Sequence, residues 1–171
     1  MPDYREIASE VLSCIQTGTG NKFFITDTDQ IKAQCPKLCS YLRDIDLFDR
    51  WDTTGISKLD PHSDLMLHSD GRCRWALNLP ILNCDQSYTI WYDAERKGNV
   101  SNVVVEGQET AATYVRYRAD TAQEIDRVCS DVPVWVNVHT PHAAINLSKH
   151  TRMLLSLRFT PELDDLFVLS N

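Results

Sequence analysis

The chain has 171 residues, 43% apolar and 24% charged, with a formal net charge of −7. A domain of this length buries roughly 70% of its unfolded surface, so a core can form without disulfide staples. The acidic balance argues against a broad nucleic-acid-binding face, which needs clustered Lys and Arg.

The first residues, "MPDYREIASEVLSC", lack the basic segment and apolar run of a secretory signal. No stretch approaches the roughly 18 apolar residues of a membrane span. The expectation is a soluble, cytoplasmic protein with one domain over residues 1–171. Its six cysteines (Cys14, Cys35, Cys39, Cys73, Cys84 and Cys129) are then expected as free thiols. Cys35 and Cys39 form a C-x3-C pair, but no second pair completes a zinc site. Buried helical thiols are the expectation there.

Residues 1–50 read as mostly helical. Asp3 and Glu6 make a helix-start signal, and Ile7, Val11, Leu12 and Ile15 follow at helical spacing. "TGTGN" stops that helix and "KFFIT" is a short strand. A second helix is predicted over Thr28 to Asp46, interrupted by Pro36. Residues 55–160 read as β. "RWALNLPIL" and "SYTIWYD" are separated by the turn-like "NCDQ". Pro80 inside the first predicts an edge position or a bulge. "NVVVEG", "ATYVRYR", "VPVWVNV" and "RMLLSLRF" follow, with a helical insert predicted around Asp120 to Cys129. Helices followed by many short strands suggest an antiparallel sandwich or barrel backed by helices.

The β half holds all five histidines: His62, His68, His139, His142 and His150. The tripeptide His-Ser-Asp occurs twice, at residues 62–64 and 68–70. An Fe(II) site that must bind oxygen wants two imidazoles and one carboxylate on one face, with positions left open. His-x-Asp supplies two of these from one short segment. The third must come from far along the chain. "VWVNVHTPHAAINLSKHTRMLLSLRF" offers His142 in a turn region, with Arg152 ten residues on, where a returning strand begins. An arginine there can grip a carboxylate with two hydrogen bonds. Taken singly, each His-x-Asp also fits a surface turn, and Arg152 also fits a strand-end ion pair.

The ordered set "HSDGRCRWALNLPI" and "PHAAINLSKHTRMLLSLRF" resembles the non-haem Fe(II)/2-oxoglutarate oxygenases, in the group similar to aspartyl/asparaginyl β-hydroxylases and prolyl hydroxylases. The resemblance spans roughly Ile56 to Phe159. It implies a double-stranded β-helix, the jelly-roll or cupin-like barrel. It also implies Fe(II) held by His68, Asp70 and His142, and 2-oxoglutarate gripped by Arg152. The implied activity is hydroxylation of an amino acid, peptide side chain or small metabolite, with succinate and CO2 as co-products.

His68 and Asp70 are preferred to His62 and Asp64 because they lie next to the core strand, with Gly71 after them to let the chain turn. Six residues of strand span roughly 20 Å, too far for both copies to hold one ion. His139 rivals His142 as the distal ligand or is a core histidine, and His150 is expected in solvent. Arg158 rivals Arg152, since both fall on one strand face by period-two counting. Asn78 and Tyr88 are candidate cofactor contacts, with Arg74 and Tyr92 as weaker ones. The alternative is a non-catalytic cupin-like module that holds a metal or small ligand.

Overall fold

Residues 4–15, 22–71, 73–98, 100–105, 108–160 and 163 are described in the computed structural model of the chain. Helix α1 covers Tyr4–Cys14, α2 Thr28–Gln34 and α3 Pro36–Asp44. The Asp27 side chain accepts hydrogen bonds from the Asp29 and Gln30 N–H groups, which would otherwise lack partners at the start of α2. Pro36 opens α3, where its missing N–H costs nothing. The segment predicted as one interrupted helix is therefore two helices. None of the described helices is long and apolar enough to cross a membrane.

Among the described residues, eleven strands follow the element order: β1 (Lys22–Thr26), β2 (Trp51–Leu59), β3 (Ser63–Asp70), β4 (Trp75–Leu82), β5 (Ser87–Asp93), β6 (Ser101–Val105), β7 (Gln108–Arg116), β8 (Gln123–Cys129), β9 (Val134–Asn137), β10 (His142–Asn146) and β11 (Arg152–Phe159). They form two antiparallel sheets, in the orders β1-β2-β11-β4-β9 and β6-β7-β3-β10-β5-β8. From β2 to β5, and again from β8 to β11, successive strands alternate between the sheets. That alternation is the double-stranded β-helix. The β6–β7 hairpin extends the second sheet beyond β3, and β1 extends the first beyond β2.

Strand β11 organises the core because both of its faces are buried. Met153, Leu155, Leu157 and Phe159 face the helices, where they join Ile7, Val11, Ile31, Leu38, Leu42 and Trp51 in the largest apolar cluster. Arg152, Leu154, Ser156 and Arg158 face the space between the sheets, where they line a cavity. A single strand thus carries the packed layer on one side and the chemistry on the other.

Three sequence expectations are corrected here. The segment around Asp120 to Cys129 is not helical; residues 123–129 form β8, whose ladder with β5 satisfies the backbone that a helix would have satisfied internally. Most of its side chains are exposed, which suits an edge strand. His142, expected in a turn region, instead opens strand β10, inserted between β3 and β5. Pro80 lies in an interior strand, not at an edge. The bulge half of that expectation holds: pairing steps from Met153↔Leu82 to Leu154↔Pro80, and β9 pairs β4 only as far as Asn78.

All six cysteines are free. Cys35 and Cys39 are buried, at the start of and within α3. Burial, a hydrogen bond to Cys14 and nearby charge push the Cys35 thiol up, which keeps it protonated and unreactive. Protein unfolded without reductant and then alkylated is expected to carry six modified cysteines by mass spectrometry. Two or more stable bridges in protein made under reducing conditions would overturn this.

Candidate metal centre and its cavity

His68 sits near the end of β3, and its Cα pairs with that of His142, the first residue of β10. Asp70 lies two residues beyond His68, so it shares the His68 face, while Ser69 turns away to hydrogen-bond the Tyr117 hydroxyl. Three potential ligand atoms from His68, Asp70 and His142 all fall within 4.8 Å of one another. The imidazole centres are 4.4 Å apart.

Backbone carbonyls set the ring orientations. His68 Nδ1 lies 2.8 Å from the Met66 carbonyl oxygen, and His142 Nδ1 lies 2.9 Å from the Thr140 carbonyl oxygen. A carbonyl only accepts, so each Nδ1 carries the proton and each Nε2 keeps its lone pair for a metal. Asp70 Oδ1 is 3.6 Å from His68 Nε2. Its Oδ2 accepts from Arg158 Nη2 at 2.6 Å. Arg158 Nη1 in turn donates to Ser156 Oγ, which is also bonded to Asn78 Oδ1. The Arg158–Ser156–Asn78 chain therefore holds one carboxylate oxygen and leaves the other facing the imidazoles. Such partners beyond the ligands fix ligand geometry and typically matter 10- to 100-fold for metal affinity.

Burial pushes the Asp70 carboxyl up, but Arg158 and the two histidines outweigh it and hold the group below its usual range. Burial pushes the His142 imidazole down to about 4, helped by His68 and opposed by Asp70 and the Thr140 carbonyl. Between pH 6.5 and about 4 the unfolded chain binds a proton at His142 that the folded chain does not. The His142 contribution to stability of the metal-free protein is therefore expected to fall as pH drops through that window, by about 3 kcal/mol, and to be constant above it. The Asp70 contribution is lost only at lower pH, below its unfolded value of 3.8. Urea denaturation from pH 7 to 4.5 tests this. An undiminished slope in His142→Gln would assign the effect elsewhere.

A bulge decides which His-Ser-Asp can serve. Pairing runs from His142↔His68 to Ala144↔Leu65, so Met66 and Leu67 together oppose the single residue Ala143. The extra residue reverses the alternation of the strand. Simple period-two counting would put Asp64 on the face of His68 and Asp70. In the structure Leu65 faces the cavity instead, and Asp64 is exposed. His62 is an exposed turn residue with φ 52°. His139 is exposed in a turn capped by the Asn137 side chain, which accepts from the His139 and Thr140 N–H groups. His150 is exposed too. Gly71 does not adopt a positive φ; an added Cβ would meet the Thr113 side chain, 2.1 Å from Oγ1. The glycine serves the close approach of β7 rather than a sharp turn.

The cluster opens into a cavity of about 690 Å³ between the sheets. At the other end of its wall lies Arg152, 1% exposed. Its Nε donates to Ser87 Oγ at 2.9 Å, and its Nη1 donates to Ser57 Oγ at 2.8 Å. Among the described residues no carboxylate pairs with it, and its Nη2 makes no hydrogen bond. Burial lowers the guanidinium to about 10, so it stays cationic at neutral pH. Ser87 pairs with Asn146 on β10, four residues from His142, which separates the two ends by about 13 Å of strand. Thr89 and Ala144 line the stretch between them.

The site thus differs in part from expectation. His68, Asp70 and His142 come together, and Asn78 and Arg152 line the same cavity. Tyr88 does not. It pairs with Ile145, out of phase with Ala144 and His142, and Arg127 sits 6.0 Å over its ring. Arg74 and Tyr92 are also outside the lining. Ser57 and Ser87, which hold Arg152, carry no local signal in the sequence. Asn146 is likewise silent there: its buried amide bonds the Leu59, Asp60 and His150 carbonyls and the Ser148 hydroxyl, tying down the loop that leads to Arg152.

No protein-family model matches the chain, and no curated protein does. Among solved structures it is similar to vicilin from Capsicum annuum, at 12% identity and a TM-score of 0.44, over 85% of this chain and 30% of that one. It is also similar to oxalate decarboxylase from Bacillus subtilis, at 10% identity and a TM-score of 0.40, over 85% of this chain and 27% of that one. The chain spans under a third of the length of either. Likenesses this distant carry no chemistry, and the sheet order and the His68–Asp70–His142 cluster remain the ground for a mainly β jelly roll able to hold a metal ion.

Proposed function

We propose that the protein is an Fe(II)- and 2-oxoglutarate-dependent oxygenase that hydroxylates a small-molecule or peptide substrate. One observation carries the reading. A two-imidazole, one-carboxylate cluster and a buried arginine that has no carboxylate partner among the described residues open onto the same cavity. The donor set fits Fe(II): two free Nε2 atoms and one carboxylate oxygen occupy three positions of six and leave three for ligands that react. When bound, Fe(II) and 2-oxoglutarate supply oxygen activation, with succinate and CO2 as co-products.

The chain's own residues do the rest. His68, Asp70 and His142 hold the metal. Arg158 is a positioning residue that keeps Asp70 ionised and oriented. Arg152, fixed by Ser57 and Ser87, offers its remaining donors to the distal carboxylate of 2-oxoglutarate. Between the two pKa directions described above, the ligands are ready at neutral pH: His142 neutral and Asp70 charged. A non-catalytic jelly-roll module would not need a buried guanidinium in the cavity onto which the metal ligands open.

Anaerobic titration with Fe(II) and then 2-oxoglutarate is the test. A weak visible charge-transfer band that needs both is expected. A flat spectrum, with tight zinc binding in its place, would favour the metal-binding module.

A further inference from the structure

A cation with no carboxylate partner among the described residues stands beside the metal cluster. Arg116 is the last residue of β7, and its Cα pairs with that of His68. Cross-strand partners share a face, so Arg116 lines the cavity next to the ligand that it flanks. Its Nη2 donates to the Tyr114 hydroxyl at 2.9 Å, and its guanidinium lies 5.3 Å from the centre of that ring. The side chain is exposed, and no carboxylate pairs with it among the described residues. Its neighbours are not left so. Arg118 is paired with Asp120 and Glu95, Arg127 with Glu124 and Arg158 with Asp70. In a chain of net charge −7, a cation that pairs with none of the described carboxylates and lines a cavity is available to a ligand.

The β1 part of the facing wall is apolar. β1 lies outside β2 and β7 lies outside β3, so both border the same margin of the sandwich. Phe23 and Ile25 of β1 line the cavity there. The Phe23 ring lies over Gly55 of β2; a Cβ at Gly55 would sit 2.4 Å from the ring's Cζ. The missing side chain makes room for the Phe23 ring beside β2.

We infer that this margin is the substrate subsite, and that the substrate is an amphipathic carboxylate. Its carboxylate is taken by Arg116 with Tyr114, its apolar body lies along Phe23 and Ile25, and the carbon to be hydroxylated points toward His68. What happens at that carbon rests on the oxygenase reading; the binding does not. A guanidinium matches a carboxylate in planarity, fork spacing and charge. A phosphate dianion would leave one charge uncompensated by Arg116, with Asp52 lining the same cavity.

The test uses the whole chain loaded with Mn(II) in place of iron, with 2-oxoglutarate present. The probes are hexanoate, 3-phenylpropionate and L-leucine, the amide of each, and hexyl phosphate. Proton relaxation enhancement by the bound Mn(II) reports both affinity and closeness to the metal. At least one acid is expected to show saturable enhancement with an affinity at least tenfold above that of its amide. Arg116→Gln removes the difference, Arg116→Lys keeps part of it, and 2-oxoglutarate affinity is unchanged in both. Acids binding no better than amides, Arg116→Gln without effect, a preference for hexyl phosphate, or loss of 2-oxoglutarate binding in Arg116→Gln would each overturn the inference. An acid that binds through Arg116 to a protein with no affinity for 2-oxoglutarate would leave the subsite standing and remove the oxygenase reading. Normal 2-oxoglutarate binding with no acid bound would do the reverse.

Discussion

His68→Ala, Asp70→Ala and His142→Ala are each expected to lose Fe(II) binding by more than about 100-fold, the upper range for removing a mere second partner of a ligand. His62→Ala, Asp64→Ala and His139→Ala are expected to bind iron as the parent does. The reason is geometric. Ligand atoms must sit roughly 2.0–2.2 Å from one ion, and only the first three residues bring theirs within 4.8 Å of one another. His62 lies a strand's length away in a turn, Asp64 is on the far side of the bulge, and His139 is exposed. Iron stoichiometry by anaerobic titration of the six variants decides the matter. If His62→Ala loses iron while His68→Ala keeps it, the first tripeptide is the site. If all six keep iron, the metal-centre reading fails.

Arg152→Ala is expected to weaken 2-oxoglutarate binding about 30- to 4000-fold while sparing iron. Losing the charged partner of a buried carboxylate costs about 2–5 kcal/mol, which converts to that range. Arg158 makes the opposite prediction although it shares the strand face. Its guanidinium is already committed to Asp70 Oδ2 and Ser156. Arg158→Met should therefore weaken iron about 10- to 100-fold, and 2-oxoglutarate only as a consequence. Isothermal titration of 2-oxoglutarate into Mn(II)-loaded protein separates the two. Unchanged affinity in Arg152→Ala, with a direct loss in Arg158→Met at saturating metal, would exchange their roles.

Alternation along β11 was readable from "RMLLSLRF" alone, and so was the pairing of Arg152 with Arg158 on one face. What each arginine does was not. One is spent on a carboxylate 88 residues away in sequence and the other is held by two serines on β2 and β5. No local pattern carries that difference. The same limit explains β8, whose "QEIDRVC" has no strong strand signal. It becomes a strand because β5 offers an open edge.

The helix faces at Ile7, Val11, Leu38 and Leu42, the alternating strands and the residue types suited to a metal were set by the sequence, because periods of 3.6 and 2 are properties of neighbouring residues. Which of two identical tripeptides joins His142 was decided only by tertiary structure. Register between β3 and β10 depends on residues more than 70 positions apart, and a single bulged residue reverses every side chain beyond it. Pairing of β7 with β3 likewise put Arg116 beside the cavity, and among the described residues the fold brings two serines rather than a carboxylate to Arg152, because those partners come from strands far away in sequence.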